Sequence, residues 1–186
     1  TRGHATARSM GSSRIFIGAT RDLCEDGLGQ WHGVGVSRTA VGTVLWRNHI
    51  GSDSCIETHA AQPRATLVDC CEGGWTKFRM GGAVNDQPNH LDDYTVWNYN
   101  ATSFDGQASG TLDWEWWTEG TASQMKFLPP TVVGFRTSGW TINFREDQMK
   151  RYSSPGEEVW PQSLYEAQLQ RRLGYVPAWL TSLKAI

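Results

Sequence analysis

Polar side chains that could move protons or hold charge crowd three stretches of this 186-residue chain. The first, Asp22 to His32, holds Glu25, Asp26, Gln30, Trp31 and His32. The second, His49 to His59, holds Asp53, Glu57 and His59. The third, Lys77 to Asp93, holds Arg79, Asn85, Asp86, Asn89, His90, Asp92 and Asp93. Two chemistries suit such sets. β-Elimination needs a base for the proton α to a uronate carboxylate and a cation to neutralise that carboxylate; His59, His90, Arg79 and Lys77 are the candidates. Glycoside hydrolysis needs two carboxylates, about 5–5.5 Å apart for retention or about 6.5–9.5 Å for inversion. Asp53 with Glu57 and Asp92 with Asp93 are nominal pairs, although side chains adjacent on a strand diverge. Each has a structural alternative: His90 in Pro-Asn-His-Leu could tie a turn through its ring nitrogens, and Asp92 and Asp93 could cap one.

The densest aromatic cluster is Asp113-Trp-Glu-Trp-Trp117. It reads either as a core plug or as a sugar-stacking edge whose carboxylates hold hydroxyls. On the second reading Trp114, Trp116 and Trp117, with Trp31, are the carbohydrate-binding residues. The cysteines Cys24, Cys55, Cys70 and Cys71 are disulfide candidates, since an even count in a Trp-rich, Lys-poor chain fits an oxidising compartment. Cys70 and Cys71 should point to opposite faces, which leaves Cys55 to pair with one of them. The spacing holds no zinc knuckle and no EF-hand loop; a calcium ion held by acidic loops is the one cofactor entertained. Asn100-Ala101-Thr102 is a glycosylation sequon, which agrees with secretion.

Elements must position these groups, and the composition says which. With 20 Gly, 10 Trp and only 19% charged residues, the chain departs from an average soluble domain toward a turn-rich β protein. A net charge of −2 gives no basic footprint for nucleic acid. No apolar run approaches the roughly 20 residues of a membrane span. Short apolar runs recur at Ser13–Gly18, Gly42–Asn48, Arg64–Cys70, Asp93–Asn100 and Thr131–Arg136. Strands so short cannot bury themselves alone, so stacking in successive coils of a parallel β-helix is expected over residues 1–150. Val44–Asn48 and Val96–Asn100 look like equivalent rungs. An antiparallel sandwich is the rival, but its two-residue hairpin signals, Asp26-Gly27 and Asp105-Gly106, both sit inside long connections.

Residues 151–186 differ in kind. After an extended Glu157–Pro161, Gln162–Leu173 reads as an amphipathic helix capped by Ser163 or Gln162 and stopped at Gly174. The spacing predicts a helix that closes the end of the stack, with Pro177–Leu180 packing back.

At this tail the chain resembles a signature, Pro-x-Ser-Leu-Tyr-x-Ala-Gln-Leu-x-x-Arg-Leu-Gly, standing at Pro161 to Gly174. It is found in secreted β-helix proteins of the pectate-lyase-like superfamily. Upstream, Gly81-Gly82-Ala83, Pro88-Asn89-His90-Leu91, Val96–Tyr99, Asp113-Trp114 and Phe127–Phe135 resemble a domain of unknown function. That domain lies at the C-terminal end of bacterial β-helix proteins from polysaccharide-degrading organisms. The resemblance covers about residues 30 to 180. It implies an all-β, right-handed parallel β-helix with a short C-terminal capping helix, and an extracellular polysaccharide context. It carries no catalytic assignment.

The expected function is therefore a secreted polysaccharide-active protein, lyase or glycoside hydrolase, working in a groove along the coils. The alternative is a non-catalytic glycan-binding module or a building block of a surface filament. The chain opens at Thr1, and residues 1–20 are expected to pack against an upstream β-helix segment of the same or another chain.

Overall fold

The computed structural model describes residues 5–22, 32–75, 87–104, 106–117 and 126–185. The largest sheet contains β2 (Phe16–Gly18), β4 (Val44–Trp46), β7 (Thr66–Asp69), β9 (Tyr94–Trp97), β12 (Thr131–Val133) and β15 (Arg151–Ser153). These six lie side by side in chain order, every pair parallel. A second parallel sheet holds β5 (His49–Ile50), β8 (Glu72–Gly74), β10 (Asn100–Ser103) and β13 (Arg136–Thr137). A third holds β1 (Ala5–Met10), β3 (His32–Ser37) and β6 (Glu57–Thr58). β11 (Gly110–Trp114) pairs in parallel with β14 (Trp140–Phe144). The chain is mostly β and its strands pair in parallel; the sandwich fails because its pairing would be antiparallel.

The five apolar runs of the sequence fall in one sheet as β2, β4, β7, β9 and β12. Their alternation sets the register. Leu45, Val68, Val96 and Val132 stand in line across the sheet, all fully buried, with Ile17 and Tyr152 at the ends of the row. Trp46 and Trp97 occupy equivalent positions with Asp69 between them. The apparent match of Val44 with Val96 is thus off by one residue, and β7 separates the two strands. A one-residue slip would turn the inner row outward, so burial overrules the look of the motif.

Bends stack as strictly as strands. Ala19, Arg47, Cys70, Asn98, Gly134 and Ser154, one after each strand of the six-stranded sheet, all have positive φ between 50° and 69°. A second column, Arg14, Gly42, Ala65 and Asp93, lies before β2, β4, β7 and β9. At Gly134 the choice of residue is forced twice, because a Cβ there would stand 2.2 Å from Asn98 Oδ1.

The tail does not close the end of the stack. It crosses the outer face of the six-stranded sheet, back toward β4 and β2. Asn98 fixes the extended stretch by accepting from Val159 N and donating to the Val159 and Gln162 carbonyls, each at 2.8 Å. Helix α1 (Leu164–Leu173) then begins on Asp69, whose carboxylate accepts from the Ser163 hydroxyl and from Leu164 N and Tyr165 N at 3.0 Å. Ser163 is the N-cap and Gly174, at φ 81°, ends the helix, as the sequence predicts. Helix α2 (Ala178–Leu183) brings Leu180, fully buried, onto Trp46. The apolar demand of an outward Trp46 explains the placement: the sheet's outer face needs cover more than its last strand does.

Trp46→Ala should lower stability by about 3–5 kcal/mol. Trp160→Ala, at a side chain 90% exposed, should stay within about 0.5 kcal/mol of the parent. Urea denaturation of the two variants checks both numbers.

Candidate functional site

The third sheet gathers one buried carboxylate and its neighbours. On β6, Glu57 pairs in register with Gly35 of β3, and Gly35 pairs with Arg8 of β1. With no side chain between them, Arg8 reaches across Gly35 to bond Glu57 Oε2 through Nη2. A Cβ at Gly35 would meet the Glu57 carbonyl oxygen at 2.5 Å. His59, two residues past Glu57 and so on the same side of the chain, places Nδ1 2.5 Å from Glu57 Oε1. His32 Nε2 lies 3.5 Å from that oxygen, and its Nδ1 is 3.8 Å from Cys55 Sγ.

Burial grades the cluster. The Glu57 side chain is 2% exposed and that of His59 is 37% exposed. A buried carboxylate is tolerable only when paired and hydrogen-bonded, and Arg8 and the imidazoles do both. Burial in turn draws Arg8 below its ordinary value, with the Cys55 thiol acting the other way. A carboxylate oxygen accepts, so in the neutral ring the hydrogen-bonded Nδ1 of His59 is the N–H and Nε2 is the basic nitrogen. The arrangement is a carboxylate-oriented imidazole at the boundary between core and surface, suited to taking and returning a proton.

The other expected site residues go elsewhere. His90 is fully buried between Tyr94 and Phe127, its Nε2 2.9 Å from Thr66 Oγ1 and its Nδ1 2.6 Å from the Leu91 carbonyl. Burial pushes its pKa down to about 4, so it ties a turn as a neutral ring and is no surface base. Lys77, Arg79, Trp31 and Cys24 lie outside the described residues. Trp114 and Trp116 are completely buried core side chains, and Trp117 packs partly buried beside them, so the cluster is a plug and offers no stacking edge. Asp93 sits at a positive-φ bend and its carboxylate pairs with Lys150, while the Asp92 carbonyl accepts from Ala65 N.

Among the described residues Cys55, Cys70 and Cys71 form no disulfide with one another, which corrects the expected pairing of Cys55 with Cys70 or Cys71. Cys71 faces the core toward the Leu45 carbonyl, and Cys70 faces outward to the Gln162 carbonyl 2.9 Å away. The opposite facing was legible, and burial pushes both thiols up, Cys71 to about 12. Asn100 lies within strand β10 and lines a polar cleft. Among the described residues no three His, Cys, Asp or Glu side chains converge to hold a metal ion, and no helix is long and apolar enough to cross a membrane.

Sequence reasoning missed Arg8, which is 49 residues from Glu57 and in no motif. The one available signal was the alternation Gly33-Val34-Gly35-Val36, which announces a strand face where another group must approach closely.

The family described as Domain of unknown function (DUF4955) matches residues 29–183, in agreement with the span over which the resemblance was drawn. That match carries no pectate-lyase-like assignment. No curated protein and no solved structure matches the chain.

Because the folded pKa of His90 lies below the ordinary 6.5, the unfolded chain takes up the proton first. Its stabilising contribution is complete above pH 6.5 and is lost as pH falls toward 4. Acidification from pH 7 to pH 4 should cost about 3 kcal/mol at this site. Thermal melts of His90→Gln over that range should show a correspondingly smaller pH dependence than the parent.

Proposed function

The chain belongs to the DUF4955 family of domains of unknown function, and on that premise we propose that it is an extracellular polysaccharide-active protein built as a right-handed parallel β-helix. The helix reading is supported by the chain's repeated return to three parallel sheets and by its aligned positive-φ bends. β1 and β2 each have a single neighbour among the described strands, and that edge is where an upstream coil would pair.

The chemistry we assign is β-elimination, with His59 as the base. One observation carries it: Glu57, buried and held by Arg8, also holds Nδ1 of a histidine whose side chain is 37% exposed. His59 Nε2 takes the proton from the carbon α to a uronate carboxylate. The C–H electron pair becomes the ring double bond as the glycosidic C–O bond at the β carbon breaks. The departing sugar oxygen leaves with that bond's electrons and takes a proton from the imidazolium or from water. Lys77 and Arg79 are the proposed cations for the uronate carboxylate. Hydrolysis is less well supported, since Glu57 is buried and held by Arg8, and Asp93 is paired with Lys150.

A non-catalytic glycan-binding or surface-filament role is the second reading. Its support is the aromatic surface of the tail, where Trp160, Tyr175 and Trp179 are 90%, 59% and 49% exposed.

Incubating the chain with pectate, alginate and neutral plant and algal polymers decides between them. Elimination should raise the absorbance of unsaturated uronate on an acidic polymer, and His59→Ala should cut that rate about 10²–10⁴-fold with the fold intact. No unsaturated product on any polymer, or full activity in His59→Ala, refutes the assignment.

A further inference from the structure

The tail that crosses the six-stranded sheet has two features its covering role leaves over, a projecting indole and an apolar cleft beside it. Trp160 is 90% exposed, more than any other large apolar side chain among the described residues. Its backbone is nonetheless held on both sides. Asn98 accepts from Val159 N and donates to the Val159 carbonyl, and Trp97 Nε1 donates to the Pro161 carbonyl at 2.9 Å. The indole is thus presented from fixed backbone, and little of the ordering cost of binding remains to be met there.

The cleft has a volume of about 440 Å³. Pro161, Ala167 and Val176 make its lining mostly apolar, and Arg171 of α1 lines it too. Cavities that enclose a compact guest span about 300–1,000 Å³, and this one is among them. Trp160 borders the cleft without filling it, since its side chain faces solvent.

Charges of opposite sign flank the two features. Glu157 lies just before Trp160 in the chain, while Arg171 and Arg172 stand in the last turn of α1. All three are exposed. The tail's other carboxylates are taken, Glu158 by Arg136 and Glu166 by Arg47 and Lys184. Among the described residues no ion pair engages Glu157, Arg171 or Arg172.

We propose that the occupant of this cleft is Trp160 of a second copy of the chain, in a two-fold dimer. Knob and hole stand on one surface, so a dyad between two copies places each indole in the other's cleft. The same dyad brings Glu157 beside one knob to Arg171 and Arg172 beside the other's hole, and it does so twice. Two indoles, each with roughly 200 Å² uncovered, make the dry centre of the contact, and the charges make its rim. A two-fold contact closes at two copies, so it builds no filament. It goes beyond the readings above, because it uses neither the His59 cluster nor a glycan.

Sedimentation equilibrium of the chain should show monomer and dimer exchanging across the micromolar range, with the dimer weakened by added salt. Trp160→Ala should raise the dimer dissociation constant about a hundredfold. Glu157→Arg, and separately Arg171→Glu with Arg172→Glu, should each raise it about tenfold. An equimolar mixture of these two charge variants should recover the parent's dimer, because every pair across the dyad is then opposite in sign. His59→Ala should dimerise as the parent does. The proposal is overturned if the chain stays monomeric throughout, if Trp160→Ala associates like the parent, or if the charge mixture fails to dimerise. A monomeric chain whose Trp160 is shielded from N-bromosuccinimide by a neutral oligosaccharide also overturns it, and gives the cleft to the glycan.

Discussion

Every strand of the six-stranded sheet hands the chain to a residue with positive φ, and in five of six cases that residue is not glycine. An L-residue there costs of order 1–2 kcal/mol, so the bends must be held by what surrounds them. The parallel ladder does the holding. Ala19 N bonds the Trp46 carbonyl, Arg47 N the Asp69 carbonyl, Cys70 N that of Trp97, and Asn98 N that of Val133. Each of these four bends is fixed by the strand next to it. Register is thereby locked at the corner as well as in the core, and strands of two to four residues can persist because no one of them is asked to stand alone.

The same columns decide what faces outward. Position for position, Trp46, Asp69 and Trp97 precede the bend, and Arg47, Cys70 and Asn98 make it. That surface is too apolar at Trp46 and too polar at Asp69 to meet water or a flat partner, and the tail answers both. Leu169 and Leu180 cover the indole, while the amides opening α1 meet the carboxylate. Burial pushes the Asp69 carboxyl up, and the hydrogen bonds from Ser163, Tyr165 and Leu164 oppose the shift. The positive end of the helix favours the ionised form as well.

What the sequence disclosed follows from how local each signal is. β-Branched runs found one sheet almost completely, because there the apolar alternation and the buried row coincide. β15, Arg-Tyr-Ser, went unseen since its apolar content is a single ring. Helix α1 was legible at both ends, since Ser163 and Gly174 act on their own neighbours. Its destination was not, because Asp69 lies 94 residues away from Ser163. The site divides in the same way. His59 was singled out by residue type alone, Arg8 was invisible, and of the two readings of Trp114 and Trp116, core plug or stacking edge, burial selects the plug. An aromatic cluster reports large area to be buried and is silent on which side of the strand buries it.

The tail's route has a consequence for how the molecule comes apart. A stack of repeats with only nearest-neighbour contacts can fray from either end and fold outward from any point. Here the last strand, β15, leads into a segment whose Leu180 rests on Trp46 of the second strand of the same sheet. Neither end can peel without loosening the other. What would be a one-dimensional sequence of small equilibria becomes a closed loop with one shared transition, formed late because its contacts join residues far apart in the chain.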